Sequence, residues 1–170
     1  MKKVFFLFAI LLAFAGCSYK FNGASIPAAM KTLNVRFFEN NAPLVVPTLA
    51  QTFTEDLKER IRTQSRLSLV TGEADAIMEG KITGYDIRPV AFTDNRQPTA
   101  GATRLTITVQ VKYTNNLDTG KVKTSFDESF SAFKEFTTAS GTLQSQEQAL
   151  IKQINQQLTE NIFNRAFAQW

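Results

Sequence analysis

The chain has 170 residues, a formal net charge of +4 and a hydrophobic fraction of 44%, which suits one domain with a sizeable core. It contains no histidine, which excludes histidine-based acid–base catalysis, Ser-His and Cys-His nucleophile pairs and the usual zinc sites. Its single cysteine, Cys17, excludes a disulfide within the chain.

The first residues have the pattern of a secretory signal peptide. Two lysines precede the apolar run VFFLFAILLAFA, and the small residues Ala15 and Gly16 precede Cys17. The run is shorter than the roughly 20 apolar residues that a membrane-spanning helix needs. The tetrapeptide FAGC resembles the lipobox at which bacterial lipoproteins are cleaved and acylated, with Phe14 where leucine is usual. We expect residues 1–16 to be a signal peptide and Cys17 to be the lipidated first residue of the mature chain.

The next segments predict a tether and the start of the domain. Residues 17–30 mix small, polar and aromatic residues without a period, which is typical of an extended tether. The segment KTLNVRFFEN then places Leu33, Val35 and Phe37 on one face and predicts a first strand. We expect residues 31–170 to form a single α+β domain.

A helix and two strands follow. Apolar residues recur at every fourth position between about 47 and 64, which predicts an amphipathic helix. RLSLV predicts a short strand. AIMEGKITGYDIRPVAF predicts a longer strand, in which Gly80, Gly84 and Pro89 are the places for a bend or bulge.

The polar loop DNRQPTAGAT leads into the most regular strand of the chain, TRLTITVQVKYTN. Its apolar and polar residues alternate, so one face packs on a core and the other faces something polar. The apolar set is Leu105, Ile107, Val109, Val111 and Tyr113, and the polar set is Thr106, Thr108, Gln110, Lys112 and Thr114. KTSFDESFSAFKEF predicts the next strand, in which Phe133 points away from the other phenylalanines and indicates a bulge or a partly covered second face.

The last segment predicts a second long amphipathic helix, with Ser145 and Gln148 as its capping box. Together these elements predict an α+β two-layer sandwich, in which two long helices pack on one face of a mixed sheet of about four strands.

Carboxylates are the remaining candidates for catalysis. The only local clusters are the adjacent pairs Glu55–Asp56 and Asp127–Glu128, and neighbouring side chains point in different directions on helices and strands. We therefore expect no catalytic residue, no metal site and no enzyme, unless distant carboxylates converge.

Loss of the signal peptide lowers the side-chain charge to about +2, which is too mild to indicate nucleic-acid binding.

Short phrases along the chain resemble one family. The order lipobox, CSYKFNGASIP, a strand, PTLAQTFTEDLKERI, LSLV with ADAIMEGKITGYDIRP, RLTITVQVKYTN and a terminal helix is similar to the LptE-type lipopolysaccharide-assembly lipoproteins. The resemblance implies an outer-membrane lipoprotein that faces the periplasm and carries a covalent lipid such as palmitate on Cys17, with no other cofactor. It also implies that the chain partners the LptD β-barrel as plug and assembly factor and assists insertion of lipopolysaccharide into the outer leaflet.

Two sets of side chains are candidates for these contacts. A barrel lumen is polar, so the hydroxyl and amide groups on the regular strand are candidates for barrel contact: Thr106, Thr108, Gln110 and Thr114. Arginine suits phosphate, so the arginines that border the polar loop are candidates for lipopolysaccharide binding: Arg88, Arg96 and Arg104. The alternatives are solvated threonines, scattered surface charge, and a different envelope lipoprotein that binds a protein or peptide through its sheet face or edge.

Overall fold

The computed structural model describes residues 26–44, 46–90, 102–118, 124–137 and 141–168. The predicted signal peptide, Cys17 and Arg96 lie outside these residues. The described part contains six strands and two helices. In chain order these are β1 (Thr32–Val35), β2 (Glu39–Asn40), α1 (Leu49–Gln64), β3 (Ser68–Leu69), β4 (Ala76–Val90), β5 (Ala102–Asn115), β6 (Phe126–Thr137) and α2 (Leu143–Phe167).

The strands form one mixed sheet in the order β3-β1-β4-β5-β6, with β2 also paired to β4. β1 and β2 run parallel to β4, and β1 runs parallel to β3. β4, β5 and β6 are antiparallel to one another. The predicted α+β class and mixed sheet are confirmed, but the sheet has six strands instead of about four. The difference arises at short strands, two of which have only two residues and carry no readable alternation.

Both helices bury their apolar stripes in a single core. The five apolar residues predicted on one face of β5 are all buried there, together with the apolar stripes of α1 and α2. Phe53 of α1 meets Phe38 edge-on, with ring centroids 5.1 Å apart, and Phe167 of α2 meets Tyr113 of β5 at 5.7 Å. The helices therefore cover one face of the sheet, as predicted.

The first predicted strand is interrupted by a β-bulge. From Val35 to Glu39 the chain advances four residues, while its partner β4 advances three, from Met78 to Lys81. The extra residue reverses the alternation, so that Phe37 is 60% exposed and Phe38 is fully buried. The prediction that Phe37 shares the inward face with Leu33 and Val35 is therefore wrong.

β4 contains the bulge that its glycines predicted. Its register with β5 shifts between Ile82 and Gly84, whereas pairing continues at Pro89. Gly80 has a different role, because a Cβ there would lie 2.6 Å from the ring of Phe38 and would collide with the Gln110 carbonyl oxygen. Gly80 thus allows the Phe38 ring to lie directly against the sheet.

The structure decides two expectations for the C-terminal half. β6 pairs with β5 without a register shift, so of the two alternatives for Phe133 the bulge is excluded and the partly covered second face is confirmed. α2 begins at Leu143, and the Thr142 side chain accepts a hydrogen bond from the Ser145 backbone N–H at 3.4 Å. The capping box predicted at Ser145 and Gln148 is therefore wrong, because the cap lies three residues earlier.

The chain enters the domain at the end of the sheet where β5 finishes. Met30 is buried, and the Tyr113 hydroxyl donates to its Sδ atom at 3.6 Å. Asp75 fastens the start of β1 by accepting from the backbone N–H groups of Lys31 and Thr32 at 2.8 and 2.9 Å. These hydrogen bonds hold the pKa of Asp75 below its usual value.

Candidate interaction surface on the open sheet face

The face of the sheet opposite the helices is not covered by any described element. We call it the open face. Side chains from β1, the bulge, β4, β5 and β6 contribute to it, and they are mostly polar. They include Arg36, Phe37, Glu39, Glu79, Lys81, Arg88, Arg104, Thr106, Thr108, Gln110, Lys112, Thr114, Asp127, Ser129, Ser131, Phe133 and Glu135.

The four residues predicted for barrel contact lie on this face as one row along β5. All four, Thr106, Thr108, Gln110 and Thr114, are half-buried between the neighbouring strands. Two of them are paired to β6. The Thr108 and Ser131 hydroxyl oxygens are 3.2 Å apart, and the Gln110 amide donates to the Asp127 carboxylate. The row is therefore an ordered hydroxyl and amide surface.

A shallow groove of about 440 Å³ lies between the bulge and β5. Its charged lining residues are three cations and three carboxylates: Arg36, Lys81, Lys112, Glu39, Glu79 and Asp127. Glu79 lies between two of the cations, bonded to Arg36 and 3.4 Å from the Lys112 ammonium. Because the charges compensate one another locally, the groove favours a polar, weakly charged surface over a strongly charged ligand.

Phe37 stands at the rim of this groove, with its ring turned outward by the bulge. A bulge that re-aims a side chain is a common device near functional sites. Sequence reasoning missed Phe37 and the charged residues around it. The adjacent phenylalanines in RFFE were the available signal, because two consecutive aromatic residues on one strand cannot both face the core.

The predicted arginine cluster is only partly assembled within the described residues. Arg88 and Arg104 are direct register partners on β4 and β5, so both belong to the same end of the open face. Arg104 is occupied, since its guanidinium bonds the Glu135 carboxylate at 2.6 and 3.1 Å and lies 4.1 Å from the centre of the Phe133 ring. Arg88 is far freer, with a side chain 78% exposed and only a 3.9 Å contact to Asp86.

The helical side offers a second groove. It lies between the N-terminal halves of α1 and α2, has a volume of about 580 Å³, and is lined by Thr48, Thr52, Asp56, Gln148, Ala149, Ile151 and Lys152. Asn155 lies behind it, fully buried, and donates to Asp56 at 3.0 Å. Within the described ranges, no three acidic, cysteine or histidine side chains are placed to hold a metal ion.

Residues 30–166 match the family model described as LptE, Lipopolysaccharide-assembly. The chain belongs to the LptE family. This confirms the family suggested by the sequence phrases, and it makes the chain an envelope lipoprotein of a family whose members serve lipopolysaccharide assembly and are not enzymes. No curated protein matches the chain by sequence. Neither of the helices among the described residues is long and apolar enough to cross a membrane.

Solved structures share this fold. The hypothetical protein CT253 from Chlamydia trachomatis superposes with a TM-score of 0.57 at 9% identity, covering 83% of this chain and 100% of that one. The rare lipoprotein B from Shewanella oneidensis gives 0.54 at 10% identity, covering 79% and 92%. At such low identity the likeness shows a common fold, so the roles of individual LptE-family residues must be argued from this chain.

Proposed function

We propose that this chain is an outer-membrane lipoprotein, anchored through a lipid on Cys17, that partners an LptD-type β-barrel as plug and assembly factor. In that position it assists transport of lipopolysaccharide and its insertion into the outer leaflet. The observation that carries the proposal is the match of residues 30–166 to the LptE family. The chemistry of the open face supports it.

The open face is suited to a barrel lumen. The inner wall of a large transmembrane barrel is lined by polar side chains, so a plug gains little from an apolar patch and much from hydroxyl and amide groups. The β5 row supplies such groups through Thr106, Thr108, Gln110 and Thr114. The carboxylates beside the row already have partners, as Glu79 has in Arg36, so docking leaves few charges unpaired.

Lipopolysaccharide phosphates require a different part of the surface. Arginine binds phosphate through two parallel N–H groups, which requires a guanidinium that is not already engaged. Arg88 meets this requirement, whereas Arg104 can bind phosphate only by sharing or leaving Glu135. We therefore assign first contact with phosphate to Arg88, with Arg96 and Arg104 as its supporting candidates.

The point where the chain enters the domain and this arginine end lie at opposite ends of the β4–β5 pair. The chain enters beside Tyr113, near the finish of β5, whereas Arg88 and Arg104 lie at the far end of the β4–β5 pair. The nine residues that separate Tyr113 from Arg104 along β5 span about 30 Å, at roughly 3.3 Å per residue. A diacylated cysteine gives stable attachment to the bilayer. A chain held at the periplasmic side can therefore present Arg88 deep inside a barrel.

Co-purification tests the barrel partnership. Tagged protein is recovered from detergent-solubilised outer membranes, and an LptD-type barrel is expected with it in stable amounts. Thr108→Arg puts a bulky charge in the middle of the β5 row and should abolish recovery of the barrel. Gln153→Arg, on the outer side of α2, is the matched control and should leave it unchanged. Equal recovery with both variants would contradict a role for the open face, and no barrel with the parent chain would contradict the partnership.

Binding of purified lipopolysaccharide tests the arginine assignment. Arg88→Glu should weaken binding about tenfold or more, because one charge-assisted pair contributes about 1.5–3 kcal/mol. Arg62→Glu on α1 is the control, since Arg62 is an exposed arginine at a helix end far from this site. Unchanged binding after charge reversal of Arg88, Arg96 and Arg104 together would remove the assignment while leaving the barrel partnership to its own test.

A further inference from the structure

The exposed strand edges differ in how they are protected from pairing. Along residues 83–90, β4 has no neighbour on its outer side among the described residues, but it carries a bulge, Pro89 and the charged pair Asp86 and Arg88. The other outer strand, β3, has only two residues. Bulges, prolines, charges and short length are the usual means by which proteins block an edge. These edges are therefore closed to a further strand.

The edge formed by β6 has only one of these protections, its charged residues Asp127, Glu128, Lys134 and Glu135. Its 12 residues pair with β5 without a register shift, and they include neither proline nor glycine. Within the described ranges, no hydrogen bond reaches the outer backbone groups between Phe126 and Phe136. A long, regular edge with unpaired N–H and C=O groups is a template for another strand.

The sequence of β6 complements itself. We propose that two copies of this chain, free of any barrel partner, pair through β6 in antiparallel orientation about a two-fold axis at Ser131. Residues whose numbers sum to 262 then lie opposite each other. Glu128 of each copy faces Lys134 of the other, and Ser129 faces Phe133. Opposite charges at directly opposed positions stabilise an antiparallel pair, and the symmetry supplies this pair twice.

The pairing also places Asp127 of each copy opposite Glu135 of the other, and both side chains are negatively charged. Both carboxylates already have partners within their own copy. Asp127 accepts from the Gln110 amide, and Glu135 accepts from the Arg104 guanidinium. The like-charge contact is therefore screened. Lys134, in contrast, gains a carboxylate opposite it, which Glu128 shares with Arg165 of its own copy.

The helix above β6 supports the same partner independently. α2 packs on β5 and β6, so pairing two β6 edges places the two α2 helices next to each other on the same face of the joined sheets. The side of α2 over β6 is identified by Arg165, which reaches the Glu128 carboxylate at 2.6 Å.

In the row of α2 that ends at Arg165, the two preceding residues are Asn161 and Gln157 at four-residue spacing, and both are exposed and uncharged. A charged row would repel its own copy, because a two-fold axis places like against like. Amides both donate and accept hydrogen bonds, so an amide row can face itself. This self-compatibility favours a second copy over an unrelated strand.

Disulfide trapping tests the geometry on the purified full-length lipoprotein without a barrel. Cysteines at the axis have Cα atoms about 4.5–5.5 Å apart, within the range that a disulfide spans. Ser131→Cys should form a covalent dimer under mild oxidation. Ser129→Cys is the control on the same strand and face, and its two copies lie about 13 Å apart, so it should stay monomeric. Coupling of S129C in place of S131C, or of neither, would overturn the proposal.

Sedimentation equilibrium in density-matched detergent tests the association itself. The parent lipoprotein should have twice the mass of one chain. Lys134→Glu replaces two attractive pairs by two repulsive ones and should raise the dimer dissociation constant tenfold or more, whereas Lys152→Glu on the α1 side of α2 should not change it. A single-chain mass for the parent protein at tens of micromolar, or equal effects of the two variants, would refute pairing through β6.

Discussion

Gly80→Ala tests the packing that creates the open face. Gly80 lies in β4 opposite Val111, on the inward side of the sheet. A Cβ at this position would collide with the Gln110 carbonyl oxygen and lie 2.6 Å from a ring carbon of Phe38. Neither neighbour can yield easily, because one is backbone within the β4–β5 ladder and the other is a fully buried ring stacked edge-on against Phe53. The added methyl group must therefore displace a strand or the ring.

The expected net loss of stability is about 2–2.5 kcal/mol. Overpacking of a filled core costs about 1–3 kcal/mol, and displacement of backbone places this site at the upper end. Alanine recovers only about 0.5–1 kcal/mol through its smaller loss of backbone entropy. Gly84→Ala is the matched control on the same strand, because its Cβ would meet only side-chain atoms, those of Thr108 at 3.2 and 3.3 Å and the Asp86 Oδ2 atom at 3.7 Å. A shift of a few tenths of an ångström relieves these contacts, so we expect G84A to change stability by less than about 1 kcal/mol.

Gly72→Ala separates conformational strain from crowding. Gly72 has a φ of +102° and nothing within 4 Å of an added Cβ, so its alanine variant should cost about 1 kcal/mol through backbone strain alone. The three variants are compared by urea unfolding followed by far-UV circular dichroism, with equal m-values required. If G80A is as stable as G84A, then Gly80 does not face Phe38, and the bulge that turns Phe37 outward is refuted as well.

Three further predictions concern other parts of the molecule. The backbone N–H groups of Lys31 and Thr32 lower the pKa of Asp75 in the folded state, so its stabilisation is present above the unfolded value of 3.8 and is lost as the pH falls from there through the lower folded pKa; D75N should reduce the loss of stability between pH 7 and pH 2 in urea unfolding. Arg165→Ala removes the ion pair with Glu128 and the contact with the Phe126 ring, and thermal unfolding should show a loss of about 1 kcal/mol because the pair is partly solvated. Phe37→Ser should change stability by less than about 0.5 kcal/mol, because the ring is exposed, yet weaken co-purification of the barrel.

Elements whose apolar pattern continues over many residues were predictable from the sequence. β5 alternates over its whole length, and α1 and α2 repeat an apolar residue every four positions, so their faces followed directly. The beginning of α2 was misplaced because Thr142 and Ser145 are both good capping residues, and only the backbone conformation of Thr142 decides between them. The split of the first strand was missed for a different reason. The extra residue at Phe37 is fixed by pairing to β4, which is more than 40 residues away along the chain.

The same distinction between local patterns and long-range pairing explains which parts of the candidate site could be predicted. The threonine row could be placed on one face because alternation within a single strand is a local property. The pairing of Arg104 with Glu135 could not be predicted, because it depends on which residue of β6 lies opposite in the β5–β6 register. In that register Arg104 is paired with Glu135, whereas Arg88 stays available. Arg88 therefore becomes the first candidate for phosphate binding among the predicted arginines.

The existence of the open face follows from the number of apolar helix stripes and the number of sheet faces that they can cover. The chain supplies two amphipathic helices, and each has one apolar stripe to bury. Because α1 and α2 pack side by side against the same core, both stripes are used on one side of the sheet. The other side must then be polar enough to remain in water, and the residues of β5 there are Thr, Gln, Lys and Arg. A partner for this side has to be polar as well, and the wall of a barrel lumen has that character, whereas an apolar ligand does not.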